Sequence, residues 1–148
     1  MPCTVEKDTA FLGWRYGPEA PLWPVRILGV KSEGRLLGYS VLRAMKTGDG
    51  VLLDLTNLPG RQDVAQSLVR ESVYHLARMG SYIIRYRFIE SPTSVRKKDL
   101  KPLGFFFRDK RRHTLLAKFA DQRLARLAEN PANWSYSIGD GEAGFWVG

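Results

Sequence analysis

The sequence predicts an α+β domain. Three observations lead there. Two apolar, β-prone runs at 25–30 and 36–44 are joined by the turn 31–35, which reads as a hairpin. Residues 63–79 place Val64, Leu68, Val69, Val73, Leu76 and Ala77 at helical spacing. After that helix, Tyr82, Ile84, Tyr86 and Phe88 alternate with Ile83, Arg85, Arg87 and Ile89, the period of a strand. A hairpin followed by strand, helix and strand packs as sheet against helix. The length of 148 residues fits one domain, with an irregular arm at 1–24, a core at 25–119 and a C-terminal helix and tail at 120–148.

The elements can be justified in chain order. Residues 11–16 form a short helical turn or a packed arm. Pro18, Pro21 and Pro24 follow, and proline removes backbone donors and fixes φ, so this loop is irregular. Trp14, Tyr16 and Trp23 are positioned to pin it to the body. After the hairpin, Thr47-Gly48-Asp49-Gly50 turns the chain into 51–55, apolar except for Asp54. A run apolar on both faces predicts a central, covered strand. Asn57-Leu58-Pro59-Gly60 punctuates. Asp63 with Gln66 resembles a capping box that starts the long helix, and Gly80 stops it. The strand 81–89 leads to a short helix from 91 to about 100, which Pro102 ends. Residues 105–107 and 114–119 are predicted strands around the turn Asp109-Lys110-Arg111-Arg112. Residues 121–129 place Leu124, Leu127 and Ala128 on one helical face.

Composition narrows the classes. Hydrophobic residues at 44% and charged residues at 26% are ordinary for a globular protein. No apolar run approaches the roughly 20 residues that span a bilayer, so membrane insertion is not expected. The N-terminus lacks a basic region followed by an apolar one, which predicts no signal peptide. The single cysteine, Cys3, forms no internal disulfide, and a cytoplasmic location is the default expectation. The net charge of +8 draws the chain to polyanions: nucleic acid, anionic lipid or a phosphorylated small molecule. His75 and His113 have no companions at metal-ligand spacing, so no metal is expected.

Five short motifs, in their order, carry a resemblance. They are Trp14-Arg15-Tyr16 before the proline loop, Leu37-Gly38-Tyr39, Asp54-Leu55, Leu103-Gly104-Phe105, and Trp134 followed by Gly139-Asp140. Together they make the chain similar to the GNAT superfamily of acyl-CoA N-acyltransferases, above all to the C-terminal halves of bacterial members with two such domains in tandem. The resemblance implies a mixed, mostly antiparallel sheet flanked by helices, with the N-terminal helices shortened or missing. It implies acetyl-CoA in a cleft where the strands at 51–55 and 82–88 splay apart. The backbone of Leu55 and Thr56 would then hold the pantetheine arm, and Arg61 with the amides of Val64 and Ala65 would meet the pyrophosphate.

The same comparison exposes departures. The family's phosphate pattern, Gln/Arg-x-x-Gly-x-Gly/Ala, falls on Gly60, Asp63 and Ala65, of which only Ala65 conforms. Asp63 sets a carboxylate where a pyrophosphate belongs. The tyrosine that many members use as general acid falls on Leu100, and a common asparagine falls on Thr93. Asp54, Glu90 and Tyr86 remain as candidate catalytic groups near the strand ends. The plainer account of Asp54 is a carboxylate that closes a turn or pairs with an arginine. With only about 25 residues ahead of the hairpin, one wall of the acceptor site is absent, which predicts a homodimer or a tandem partner.

Three functions compete. One is an acetyl-CoA-dependent N-acetyltransferase acting on a small-molecule or peptide amine. The second is a non-catalytic binding or assembly module on the same fold. The third is a nucleic-acid or polyanion binder using Arg85, Arg87, Arg96, Lys97, Lys98, Lys101, Arg108, Lys110, Arg111 and Arg112, interleaved with Tyr86 and Phe106. Lysine- and arginine-rich turns are commonly no more than solvated surface.

Overall fold

A computed structural model of the chain describes residues 3–108 and 118–141. It opens with the strand β1 (Cys3–Thr4) and the helix α1 (Thr9–Tyr16). Asp8 caps α1 by accepting from the Phe11 amide at 2.7 Å, an arrangement that stabilises a helix start by about 1 kcal/mol. The proline loop is irregular, as its composition predicts. The strands β2 (Arg26–Ser32) and β3 (Arg35–Ala44) form the hairpin. Its two turn residues, Glu33 and Gly34, both have positive φ, the geometry that matches the strands' twist.

The central strand β4 (Asp49–Asn57) is buried along nearly its whole length. The helix α2 (Gln62–Arg78) follows, then β5 (Ile83–Tyr86) and β6 (Phe88–Ile89). The remaining elements are α3 (Lys97–Leu100), a 3-10 turn at Lys101–Leu103, α4 (Gln122–Glu129), β7 (Trp134–Ser137) and a 3-10 turn at Ile138–Asp140. Asp121 caps α4.

The strands make two sheets. One runs β2-β3-β4-β5, antiparallel except for the parallel β4–β5 pair. The other runs β1-β7-β6, with β1 parallel and β6 antiparallel to β7. The fold is therefore mixed α+β, mostly antiparallel, with helices flanking the sheets. Among the described residues no helix is long and apolar enough to cross a membrane.

Each face of the larger sheet has its own core. α2 covers one face, where Leu42, Leu52, Leu55, Val64, Ala65, Leu68, Val69 and Leu76 interlock. Gly38 permits this approach: a Cβ there would lie 2.9 Å from both the Thr56 carbonyl and a Val64 methyl. A buried hydroxyl pair, Ser40 and Ser72 at 3.0 Å, ties β3 to α2, and Ser72 also donates to the Leu68 carbonyl. On the other face Tyr16 and Leu22 from the N-terminal region meet Val41, Val51, Leu53 and Ile138.

Several expectations are corrected. The predicted strand 81–89 is two strands in two sheets, because the chain leaves β4 at Arg87 and turns to β7. The predicted helix 91–100 keeps only Lys97–Leu100. Its first half is a turn in which the Ser94 hydroxyl accepts from the Ser91 amide at 2.9 Å, the local competition with helix that serine offers. The α-helix does end at Leu100, as expected ahead of Pro102, and Pro102 sits in the 3-10 turn that follows, which stops at Gly104 with φ of 87°. Residues 105–107 form no strand, and most of the predicted return strand, with His113 and the basic turn before it, lies outside the described residues. Tyr16 does pin the N-terminal region, but Trp14 and Trp23 are exposed, and Leu22 is buried instead.

Candidate functional site

The fold converges on a polar cluster at the end of β4. β5 pairs with β4 only from Asp49 to Leu52. Beyond that point the two strands diverge, because β6 pairs with β7 instead. The wedge is closed at its far end by the turn after β6: the Asn57 amide donates to the Thr93 carbonyl at 3.1 Å, and the Gly60 amide to that of Pro92 at 3.1 Å.

The chain itself occupies the wedge. The 3-10 turn Ile138–Asp140 hooks in through the Ile138 amide, which donates to the Arg87 carbonyl at 3.1 Å. Gly139 lies so close to β4 that a Cβ there would sit 2.8 Å from the Leu53 carbonyl and collide with the Tyr16 hydroxyl. Arg15, itself buried, donates to the carbonyls of Gly139, at 2.6 Å, and Gly141. The recess left between Val51, Arg85, Arg87 and Ile138 holds about 10 Å³, room for a water at most.

Lys7 enters from the N-terminal arm. Its ammonium donates to both Asp54 oxygens, at 2.8 and 2.9 Å, and to Thr56 Oγ1 at 3.4 Å. Its Nζ also stands 2.9 Å from Asp140 Oδ1. The Lys7 side chain is 9% exposed, and both aspartates are fully covered. Tyr39 donates to Asp54 at 3.0 Å, and Thr56 at 3.3 Å. Asp140 is positioned by a capping box, its other oxygen accepting from the Ser137 amide at 2.9 Å.

Two carboxylates thus share one buried ammonium. Burial by itself lowers the Lys7 pKa, but the charges of Asp54 and Asp140 outweigh it and raise the value. Burial and then the Asp54 charge raise the Asp140 carboxyl, against the pull of Lys7. Burial, followed by the Asp54 charge, drives the hydroxyls of Tyr16, Tyr39 and Tyr86 far above the usual phenol range. The hydroxyls of Tyr16 and Tyr86 and the Oδ1 of Asp140 are buried without a hydrogen bond of ordinary geometry, with the Arg15 side chain beside the first hydroxyl and that of Ser137 beside the second.

The predicted site residues divide. Asp54 and Thr56 are in the cluster, but Asp54 pairs with a lysine rather than the expected arginine. Leu55 is buried in the core beneath α2. Tyr86 is stacked on Phe88 at 4.2 Å. Glu90 is exposed and accepts from the Lys97 amide at 2.7 Å, closing the turn before α3.

The phosphate-loop residues lie apart from these. Arg61 is the N-cap of α2 and supplies no side-chain cap. Asp63 does not form the predicted capping box. Its carboxylate takes a bidentate pair from Arg61 at 2.9 and 2.6 Å. That hydrogen bond chiefly, with help from the Val64 amide, holds Asp63 down to about 2. Val64 and Ala65 face the core, and the Ala65 amide is spent on the Arg61 carbonyl. The start of α2 therefore carries its own anion, in a place where the resemblance implies a ligand's.

Lys7 and Asp140 escaped the sequence reading. Lys7 stands in an unpatterned arm. Asp140 was visible only as part of the Gly139-Asp140 motif, with no sign of what it would meet. Among the described residues no group of three or more His, Cys, Asp or Glu side chains is placed to hold a metal. No protein-family model matches this chain, and no curated protein matches it either.

Proposed function

We propose that the chain is a non-catalytic binding or assembly module on an acyl-CoA N-acyltransferase-like frame. The observation that supports this reading is the occupied wedge. The gap between β4 and β6, where that frame would seat a cofactor, holds the chain's own Ile138–Asp140 turn and the Lys7 ammonium. Lys7, Tyr39 and Thr56 already donate to the two oxygens of Asp54, so it is not free to take a proton from another amine. At α2 the Arg61–Asp63 pair leaves a carboxylate where phosphates would sit.

The exposed apolar residues suit an assembly role. Ile27 and Leu36 stand half-exposed on β2 and β3, and Trp14 and Trp23 are exposed on the N-terminal region. A second copy or a tandem partner is the occupant that this reading expects.

A second reading, an acetyl-CoA-dependent N-acetyltransferase, has one observation in its favour. Lys7 presents a primary amine to Asp54, as an amine acceptor would be presented to a general base. In that reading the N-terminal arm must leave the wedge before cofactor and acceptor enter.

Calorimetric titration of acetyl-CoA into the full chain separates the two. The module reading expects no saturable heat. Micromolar binding that disappears in an Arg61→Ala variant would overturn it in favour of the transferase.

A further inference from the structure

We infer that the exposed face formed by Lys97, Lys98, Lys101, Phe106 and Arg108 is a binding surface for single-stranded nucleic acid. It uses no residue of the wedge and not Arg61, so it adds a partner to the module reading without resting on it.

Local folding gathers these residues. α3 runs directly into the 3-10 turn Lys101–Leu103. Leu100 and Leu103 pack inward on the core beneath α2. Lys101 follows Lys97 by four positions and Lys98 by three, so the three exposed lysines share the outward face. The turn closes as a Schellman motif. The Gly104 amide donates to the Lys101 carbonyl at 3.0 Å and the Phe105 amide to that of Leu100 at 3.3 Å, with Gly104 left-handed. Phe105 packs on the core. Lys101 and Phe106 each stand one residue from the Phe105–Leu100 bond, so the reversal sets them side by side, and exposed Arg108 follows.

Two observations separate this face from an ordinary solvated turn. Its cations lack counter-charges. Elsewhere Arg61, Arg85 and Arg123 each hold a carboxylate. Here Asp99 is taken by Arg96 at 2.6 Å, and Glu90 accepts from the Lys97 amide. Among the described residues Lys97, Lys98, Lys101 and Arg108 stand in no ion pair. The second observation is Phe106, which is 77% exposed. An open ring beside unpaired cations gives a stacking platform along a phosphate track, the combination that holds single strands.

Other polyanions match the face less closely. The apolar side of the helical run is spent on the core. That leaves Phe106 and the partly covered Phe107, not an apolar helix face, to enter a bilayer. A duplex hides the faces of its bases from such a ring.

The test is fluorescence anisotropy of a labelled oligothymidylate of about 12 nucleotides, titrated with the full chain. Four cations on four phosphates, at a salt slope of roughly −0.7 each, weaken binding about 50-fold between 50 and 200 mM salt. Lys98→Ala with Lys101→Ala should take roughly 1.4 off that slope. Phe106→Ala should weaken binding about 5- to 150-fold, which loss of charge cannot explain. All three positions are exposed, and the urea midpoints of the variants should match wild type. A duplex of the same length should bind more weakly than the single strand. No binding at low salt, or binding that Phe106→Ala leaves unchanged, overturns the inference. Equal affinity for the duplex overturns it too. So does tighter, Phe106-dependent binding to phosphatidylserine vesicles, which would make the surface a lipid site. An acetyl-CoA titration that contradicts the module reading leaves this result untouched.

Discussion

Replacing Lys7 with methionine keeps most of the stem and removes only the charge, so it measures what the ammonium does. In wild type Nζ is 2.8 Å from Asp54 and 2.9 Å from Asp140, with both carboxylates fully covered. At such separations Coulomb's law with an effective dielectric near 20 gives roughly 6 kcal/mol per contact before desolvation. Desolvating three charged groups offsets much of that, and the net worth of the cluster is small beside the damage of breaking it. Removing one partner strands the other charges in a covered site, which costs about 3–5 kcal/mol. That is a large part of the 5–15 kcal/mol typical of a domain. The assay is urea unfolding at neutral pH, followed by fluorescence, with midpoints compared at equal slope. Lys7→Met is expected to lose about 3–5 kcal/mol. Adding Asp54→Asn to it should recover part of the loss, because one stranded charge disappears with its partner already gone. A loss under about 1 kcal/mol, the range of an exposed pair, would refute the buried cluster. So would a double variant in which the two losses simply add.

Two further outcomes follow from the same cluster. Gly139→Ala places a methyl 2.8 Å from the Leu53 carbonyl and against the Tyr16 hydroxyl, so the Ile138–Asp140 turn must shift. Overpacking of this kind costs roughly 1–3 kcal/mol, read by the same urea midpoints. The dependence on pH has a definite sign. Lys7 has a folded pKa above 10.5, since Asp54 and Asp140 outweigh burial. Its contribution is thus fully present below 10.5 and is lost as pH rises through the higher folded value. From neutral pH upward, the gap in stability between wild type and Lys7→Met should stay level until that point and then close. Asp140 is raised above 3.8 by burial and by Asp54, so its protonated form favours folding below 3.8 and that gain fades as pH rises through the folded value. In Lys7→Met, which lacks the opposing ammonium, the fading should extend to higher pH.

Local patterns along the chain sufficed for the elements that rest on local physics. The hairpin, the buried central strand and the long helix each declare themselves through the period of their apolar residues, and β2, β3, β4 and α2 follow those periods closely. Where neighbouring elements compete, the local signal failed. The alternation through residues 81–89 is a strand pattern throughout, but nothing in it says that Arg87 is where the chain exchanges β4 for β7 as its partner. Asp63 and Gln66 have capping-box spacing, but Arg61 reaches the carboxylate first and makes a stronger, charge-assisted pair. Asp54 stood out as a charge inside an apolar run, which correctly marked a polar centre. Its partners, Lys7 and Asp140, lie 47 and 86 positions away in the numbering. No periodicity links residues so far apart. Burial of a carboxylate demands a counter-charge, and the chain's order cannot say which one. Only the packing of the arm and the tail turn against the free end of β4 brings that ammonium and that second carboxylate to Asp54.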